Sequence, residues 1–408
     1  MAAAAVGVSH LVQSTRAGAE YGLLLLPVVL LACLLKYPFL EFGPRYAAAT
    51  GESLLVGYRR LGRWALWLFG LVTVGTMFIV LAVVTLVTAG LAGLLLGIDA
   101  PPLHLSAGVL ALCIGLLAVG NYRGLDLAMK LLITVLAAST LVALALALGN
   151  TPDWTGLSGL DRLPALGSAT GIAFLLALVG WMPIPVEAAA WNSLWTRERA
   201  AQTGHAPSLA EALLDFRLGY LGAVVLAVAF LMLGALLMHA SGLQFADSAV
   251  GFSGQLVELY AQNLGDWSRP LITIAALSTM FSTTLAVADA YPRVLAAIAG
   301  AAAAGGGAAA DARPPRRGPY LAAVGVVSGG ALLVLMFAGE GFTRLIDFAT
   351  TLSFVAAPLI AWITLGAVTA PHVPRHARPG PVLLALAWFG LGSGALFSLA
   401  WIGWLLAG

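Results

Sequence analysis

Apolar runs long enough to cross a lipid bilayer recur from one end of this chain to the other. About 20 apolar residues suffice for one helical crossing. The 408 residues are 61% hydrophobic and only 9% charged, with a mean hydropathy of +0.96. A soluble domain of this size needs far more charge on its surface. The sequence therefore predicts an all-α polytopic membrane protein in contact with the lipid bilayer.

Several other classes of protein are not expected. The net charge is only +2 and no long basic tract occurs, so we expect no nucleic-acid partner. Cys33 and Cys113 both lie in apolar runs and do not suggest a disulfide or a zinc site. The N-terminal stretch has no basic leader of the kind that a cleaved signal peptide carries. We expect no cofactor and no catalytic residues.

The apolar runs and the turn-rich connectors between them predict eleven spans. Span 1 is short and interrupted. The spans lie near residues 2–19, 22–48, 63–95, 103–120, 124–149, 169–196, 210–240, 268–299, 318–339, 343–369 and 381–406. We expect one transmembrane domain over 1–408, made of a first repeat (1–149), a second repeat (169–369) and an extra helix (381–406). The low-complexity stretch 301–318 is predicted to be a cytoplasmic linker.

The basic residues predict the orientation of the chain. With a cytoplasmic N-terminus, the outer loops would contain only Arg162, Arg269 and Arg344. The inner loops would contain the larger set: Arg59, Arg60, Arg63, Arg123, Lys130, Arg197, Arg199, Arg217, Arg293, Arg313, Arg316, Arg317, Arg375 and Arg378. Cytoplasmic loops carry an excess of Lys and Arg. The odd number of spans then puts the C-terminus outside.

Two of the predicted spans are interrupted at corresponding places in the two repeats. The stretch LVGWMPIPVEAAAW, residues 178–191, contains two prolines and a glutamate, and GVSH at 7–10 interrupts span 1. Pro183 and Pro185 lack the donors that would bond the carbonyls of Val179 and Trp181. Paired interruptions of this kind indicate the mid-membrane site of an inverted-repeat transporter. The competing interpretation is that each proline only shapes helix packing.

The chemistry of such a break follows from the helix dipole. The half-helix that ends there presents free carbonyls and favours a cation, and the half-helix that begins there favours an anion or keeps Glu187 ionised. We expect the segments 7–10 and 179–187 to converge on one small polar chamber halfway through the membrane.

Three segments carry a resemblance to a known family. They are similar to spans of Nramp-type (natural resistance-associated macrophage protein) divalent metal transporters, especially of their divergent bacterial branch. The first spans of that family are similar to GVSHLVQSTRAGAEYG and the residues that follow it. The sixth span is similar to GWMPIPVEAAAWNSLWTRER, and the eighth to ALSTMFSTTLAVADAYPR. The resemblance implies the LeuT-type fold (APC superfamily), with ten helices in two inverted five-helix repeats, spans 1 and 6 broken, and one extra helix. It also implies alternating-access transport of a divalent metal such as manganese or iron across a bacterial inner membrane.

The metal site that the resemblance implies is altered in this sequence. The family's Asp-Pro-Gly-Asn motif aligns with residues 7–10, so Gly7 and His10 replace the aspartate and asparagine ligands. The family's Met-Pro-His motif keeps its methionine as Met182, and Ile184 replaces the histidine. The family's carbonyl ligand falls on Val179.

The candidate ligands come from both breaks: the Gly7 carbonyl, His10, Gln13, the Val179 carbonyl, Met182 and Glu187. Met182 is a soft ligand that favours transition metals, although methionine is often core filler. Glu187 can replace a lost carboxylate. Its alternative role is to pair with Arg16 or Lys36, since buried charges are usually paired. His10 can ligate a metal, relay protons or serve as a hydrogen-bonded packing residue, and the sequence leaves these roles open.

Three charged residues are predicted to act outside the binding site. Glu41 and Arg45 are spaced i,i+4 and can form a gating or structural ion pair. Asp289 lies at the inner end of span 8 and can line an exit path. Span 3 has no acidic residue within 65–95, which removes the acidic proton route of the family and puts proton coupling in doubt.

Two alternatives to metal transport remain open. The loss of two family ligands also suits a transporter of the same fold for an amino acid, an amine or another small organic solute. The second alternative is a sensor that binds its cargo without transporting it, and it differs from a transporter only in the absence of flux. An intramembrane enzyme is not expected, because the sequence lacks motifs such as His-Glu-x-x-His and Gly-x-Ser-x-Gly.

The start of the chain raises a separate question. Only a few residues precede the break at 7–10, which are too few for the half-helix that should reach the cytoplasmic face. We therefore expect either an earlier start or a shortened half-helix, and a shortened one would leave the inner gate incomplete.

Overall fold

A computed structural model describes residues 6–119, 123–150, 155–239, 245–303, 317–338 and 341–407. Within these residues the chain is helical and contains no strand. Most of the predicted linker 301–318 lies outside the described residues, as do residues 1–5 at the start of span 1.

The eleven predicted spans correspond to helices of the structure. Span 1 consists of a π-helix, Ser9–Ser14, continued by Thr15–Tyr21. Span 6 consists of two half-helices, Ala169–Trp181 and Ala188–Thr203. The other spans are Leu26–Thr50, Arg63–Leu96, Pro102–Val119, Arg123–Asn150, Leu209–Leu233 with its π-helical extension Gly234–His239, Ser268–Ala303, Arg317–Ala338, Phe342–Thr369 and Pro381–Ala407.

Spans 1 and 6 differ from the others in length and continuity. Among the described residues, nine helices are long and apolar enough to cross a membrane, and a tenth candidate combines Leu160–Leu166 with the first half of span 6 across a 99° bend. Span 1 is too short for this test in the described part of the chain. Residues 6–7 form a bend and residues 8–21 are continuously helical, so the predicted interruption at 7–10 is wrong for residues 8–10. The break of span 1 is, in the described residues, this bend at 6–7.

Three short helices were not predicted. Leu54–Leu61 follows span 2, Leu163–Leu166 precedes span 6, and Ala249–Leu264 lies between spans 7 and 8. The last of these begins at Ser248, whose hydroxyl accepts from the Gly251 amide as an N-cap. It buries one apolar face, including Phe252 and Tyr260, and packs against spans 3 and 8. An amphipathic helix of this kind lacks the continuous apolar run that marks a span.

The buried centre of the molecule is formed by spans 3 and 8. Over its most apolar window, 78% of span 3 is buried by protein, compared with 11% of span 11. Span 3 packs extensively on span 8, and span 10 packs on the first half of span 6. Span 11 is therefore a peripheral helix, and the interrupted spans are held among spans 2, 7 and 10.

Two glycines allow the half-helices of span 6 to approach their neighbours closely. A Cβ atom at Gly180 would lie 2.0 Å from the Thr350 carbonyl oxygen of span 10. A Cβ atom at Gly43 of span 2 would lie 2.2 Å from the Ala189 carbonyl oxygen. Small residues permit such close backbone contact between membrane helices. These contacts fix both sides of the break in span 6.

Candidate functional site

The break in span 6 is present where the prolines predict it. The first half-helix ends at Trp181, and the second begins at Ala188. Residues 182–187 form bends and turns between the two. Pro183 has no amide hydrogen to donate to the Val179 carbonyl, so the helical pattern of hydrogen bonds ends at that carbonyl.

The start of span 1 meets the break in span 6, as the sequence predicts, but the space between them is lined mostly by apolar residues and is not the predicted polar chamber. Of the candidate ligands only Gly7 lines it. The Ser9 hydroxyl lies 2.9 Å from the Pro183 carbonyl oxygen and can donate to it. A cavity of about 40 Å³ lies beside this contact and is lined by residues of both breaks and of spans 3 and 8. The lining residues are Gly7, Val8, Ser9, Val80, Val84, Trp181, Pro183, Ile184, Pro185, Trp191, Thr283 and Val287. The cavity has room for a few water-sized groups.

The carbonyls at the end of the first half-helix already hold a cation. The Lys36 ammonium of span 2 donates to the Val179 and Gly180 carbonyl oxygens, each at 2.6 Å, and to Ile184 at 3.5 Å. The prediction that this helix end favours a cation is consistent with this contact, but the expectation that the Val179 oxygen is free to face a ligand is wrong. It accepts from Lys36 and, at 3.3 Å, from the Met182 amide.

Glu187 occupies the other end of the break. It is only 3% exposed, and its carboxylate accepts from the Tyr291 hydroxyl at 2.9 Å and from Thr76 at 3.3 Å. The alternative role as a partner of Arg16 or Lys36 is wrong, because both cations have other partners. In the described part of the chain, Glu187 makes no ion pair.

The candidate residues of span 1 are largely engaged in hydrogen bonds. The His10 Nε2 atom lies 2.9 Å from the Ala223 carbonyl, which can only accept, so Nε2 carries a proton. The Nδ1 atom lies 2.9 Å from the Ser9 hydroxyl. The Gly7 carbonyl accepts from the His10 and Leu11 amides, each at 3.0 Å. In this arrangement neither ring nitrogen of His10 points to an open space.

Gln13 and Met182 are the candidates that contact neighbouring polar groups most weakly. The Gln13 amide nitrogen donates to Asp347 at 3.2 Å, while its buried Oε1 atom has no partner among the described residues. The Met182 sulfur is fully buried and accepts from the Ser14 hydroxyl at 3.9 Å. A small displacement of either side chain would make its polar atom available to a ligand.

The predicted pair of Glu41 and Arg45 is present and belongs to a larger network. The Arg45 guanidinium contacts the Glu41 carboxylate at 2.6 Å and donates to the Ala377 carbonyl at 2.9 Å. The same carboxylate accepts from Tyr37 at 2.5 Å and lies 3.7 Å from Arg217. The network ties spans 2 and 7 to the loop before span 11.

A second network contains Asp289, which lies inside span 8 and not at its end as predicted, because the helix continues to Ala303. Asp289 pairs with Arg293 at 2.7 Å and accepts from the Tyr320 hydroxyl. Arg293 also lies 3.4 Å from Glu198, at the end of span 6. Asp289 therefore connects span 8 with span 9, Arg293 extends the network to span 6, and the Asp289 carboxylate is engaged in this conformation.

His372 lies in the loop between spans 10 and 11, outside the membrane-spanning segments. Its ring contacts the Tyr46 hydroxyl at 2.8 Å. Partial burial, and then the positive charges of Arg60 and Arg378, lower the pKa of His372. The imidazole is thus expected to be neutral and to accept from Tyr46, which ties this loop to span 2.

Three residues of these networks were missed as site residues. Lys36 holds the break, Tyr291 binds Glu187, and Asp347 of span 10 binds Arg16 of span 1 at 2.9 Å. An ionisable residue inside an apolar run was the available signal for Lys36 and Asp347. No local signal identified Tyr291.

The described residues contain no group of three or more His, Cys, Asp or Glu side chains placed to hold a metal ion. Cys33 and Cys113 are free and buried. A metal at this centre would need carbonyl, amide and thioether ligands, with at most one carboxylate and one imidazole.

The helical spans, with span 6 broken against the start of span 1, form a fold of the LeuT type. Comparisons with solved structures agree with this fold. The fold is similar to that of a histidine-to-alanine mutant of the Eremococcus coleocola manganese transporter, with a TM-score of 0.69 and 15% identity, covering 98% of this chain and 84% of the other. It is also similar to MhsT in complex with L-phenylalanine, with a TM-score of 0.63 and 14% identity, covering 98% and 96%.

The sequence comparison identifies the family. The model of the natural resistance-associated macrophage protein-like family, Nramp, matches residues 1–402. The chain belongs to this family, and is therefore a transporter and not an enzyme. An uncharacterized protein of Pasteurella multocida (strain Pm70) is 34% identical over 413 residues, which cover 99% of this chain and 92% of that protein.

Proposed function

We propose that the chain is a secondary transporter that moves a divalent metal cation, such as manganese or iron, by alternating access around the meeting point of the two breaks. The observation that carries the proposal is the contact of the Ser9 hydroxyl with the Pro183 carbonyl, beside carbonyls that already bind a cation. Family membership supports the metal, as does the similarity of fold to a manganese transporter. Rocking of one helix bundle against the other would expose this point to each side in turn.

The metal would use an atypical set of ligands. The Gly7 and Val179 carbonyls, His10, Gln13, Met182 and Glu187 remain the proposed set. Gln13 and Met182 require the smallest changes, and His10 would have to give up the Ser9 contact.

Lys36 is the main obstacle to metal binding. A divalent ion about 4 Å from an ammonium group is repelled by roughly 8 kcal/mol at an effective dielectric constant of ~20. The ammonium must therefore leave the Val179 carbonyl before a metal can use it.

Manganese flux tests the proposal directly. The purified full chain is reconstituted in proteoliposomes and the uptake of radiolabelled manganese is measured, with Met182→Ala and Glu187→Ala as site variants. Both should reduce uptake by about tenfold or more, because each removes a proposed ligand. Ser393→Ala, at a half-buried position of the peripheral span 11, is the matched control and should leave uptake unchanged. Uptake that neither site variant alters would refute this ligand set.

A small organic solute is the second candidate cargo. It is favoured by the Lys36 contact and by the shape of the cavity, which tryptophan, proline and valine side chains line. A thermal-shift screen separates the two candidates. Stabilisation by amino acids or amines, with none by manganese, iron or cobalt, would favour the organic solute.

Coupling and topology complete the proposal. Proton coupling stays doubtful, because span 3 has no acidic residue within 65–95.

We propose a bacterial inner-membrane protein with its N-terminus in the cytoplasm and its C-terminus outside. A reporter enzyme fused to the C-terminus and active only in the periplasm would support this topology, and one active only in the cytoplasm would overturn it.

A further inference from the structure

We infer that the Lys36 ammonium is a built-in cation that fills a cation site at the end of the first half-helix of span 6. When the lysine is removed, the same carbonyls should accept a free ammonium ion of matching size. The inference goes beyond the proposed function, because it concerns the resting occupant of the site and does not depend on which cargo is moved.

The geometry of the contact is that of a cation bound by backbone oxygens. An ammonium group has three hydrogens to donate. The Lys36 nitrogen lies 2.6 Å from both the Val179 and the Gly180 carbonyl oxygens and 3.5 Å from that of Ile184. Three carbonyl oxygens thus surround a group that can donate three hydrogen bonds.

The sequence creates this site locally. Pro183 cannot donate to the Val179 carbonyl, and the break leaves the Gly180 carbonyl without its helical donor. Carbonyls in the last turn of a helix carry partial negative charge along the helix axis. The site therefore exists in the backbone of span 6 whether or not a lysine fills it.

No carboxylate competes for Lys36. Within the described residues the ammonium makes no ion pair, although it is only 7% exposed. Glu41, one and a half turns away on the same helix, is bound by Arg45 and Tyr37. Glu187 is bound by Tyr291 and Thr76. Neutral carbonyls thus supply the whole observed coordination of this charge.

The Lys36 side chain reaches the break from a different helix. Lys36 belongs to span 2, which packs on span 7 and on the second half of span 6. Its side chain crosses to the end of the first half of span 6 and to Ile184 in the break. A free cation at these carbonyls and the Lys36 ammonium therefore exclude each other, which makes Lys36 a determinant of what the centre can bind.

Chemical rescue tests the inference in the purified full chain, with thermal unfolding as the readout. Lys36→Ala removes the equivalent of a propylammonium ion, and Lys36→Met keeps most of the stem but leaves the place of the ammonium empty. We expect both variants to unfold at a lower temperature than the natural chain. Propylammonium should restore most of the loss in Lys36→Ala, and ammonium chloride should do so in Lys36→Met.

The controls separate a bound cation from salt and from packing. Tetramethylammonium chloride has no N–H donors and should restore neither variant, and none of the salts should change the natural chain. Unchanged unfolding of both variants would overturn the inference, as would losses that no amine restores. Lys36→Met carries the test if Lys36→Ala does not fold. Because the readout involves neither metal nor flux, failure here is distinct from failure of the metal-transport proposal.

Discussion

Lys36 and Glu187 lie at opposite ends of the break in span 6, and they are stabilised in different ways. Lys36 reaches the end of the first half-helix and is held by backbone carbonyls. Glu187 lies at the start of the second half-helix and is held by the side-chain hydroxyls of Tyr291 and Thr76. Each side chain, when ionised, has the sign of charge that the nearby helix end favours.

The difference between the two lies in how easily each can be released. The Lys36 site is made of backbone and persists whatever the side chains do. The Glu187 site is made of two side chains from spans 8 and 3, so it depends on the packing of those spans on span 6. A rocking motion that separates span 6 from spans 3 and 8 would therefore free Glu187 before it altered the carbonyls that hold Lys36.

The largest expected effect comes from closing the space beside the Lys36 site. In Gly180→Ala the new Cβ atom would lie 2.0 Å from the Thr350 carbonyl oxygen, so span 6 must move away from span 10. Overpacking of this kind costs about 1–3 kcal/mol, and we expect the upper end because the obstructing atom is backbone. Equilibrium unfolding in mixed detergent micelles measures the loss.

Gly115→Ala is the matched control for this change. Gly115 lies in span 4, and a Cβ atom there would meet open space. The control should unfold like the natural chain. Equal losses in both variants would mean that the effect arises from the removal of glycine itself, and would remove the argument for close packing at Gly180.

An intermediate effect is expected at the Glu187 end. Tyr291→Phe removes the hydroxyl that donates to Glu187 at 2.9 Å, which should cost about 1–2 kcal/mol of unfolding free energy. The same change should cost less in a Glu187→Gln background, because a charged acceptor binds a hydroxyl more strongly than a neutral one. A double-mutant cycle in mixed micelles measures this coupling.

Tyr58→Phe provides the comparison for that cycle. The Tyr58 hydroxyl is also buried and bonded, but to Thr364, and lies in a different helix contact. Its cost should be the same with Glu187 or Gln at position 187. If the cycle with Tyr291 were equally additive, the hydroxyl would not be what holds Glu187, and the contrast with Lys36 would lose its basis.

How much of this arrangement the sequence predicts depends on how local each feature is. The spans follow from apolar runs, and the break in span 6 follows from Pro183 and Pro185, which act on their own backbone. The expected preference of the first half-helix for a cation is equally local, and the contact of Lys36 with its last carbonyls is consistent with it.

The partners could not be predicted in the same way. Lys36 reaches Val179 only because span 2 packs tightly on span 6 through Gly43 and Ala189, a contact between residues far apart in sequence. The expected partners of Glu187 were cations, since buried charges are usually paired. The structure instead places hydroxyls from two other spans against Glu187. The sequence near Glu187 does not indicate these hydroxyls.

The smallest expected effect concerns the link between the two breaks. Ser9→Ala removes the hydroxyl that lies 2.9 Å from both the Pro183 carbonyl and the His10 Nδ1 atom. One neutral hydrogen bond contributes about 1 kcal/mol, so unfolding in mixed micelles should change by that amount or less. Ser9→Cys, which keeps a weak donor of similar size, should lose less unfolding free energy than Ser9→Ala.

If alternating access moves the two breaks as one unit, Ser9→Ala should lower manganese uptake. It should leave the rescue of the Lys36 variants by amines unchanged, since that site uses only the backbone of span 6. A simultaneous loss of amine rescue would mean that Ser9 shapes the carbonyl site itself, and the two ends of the break would then no longer be independent.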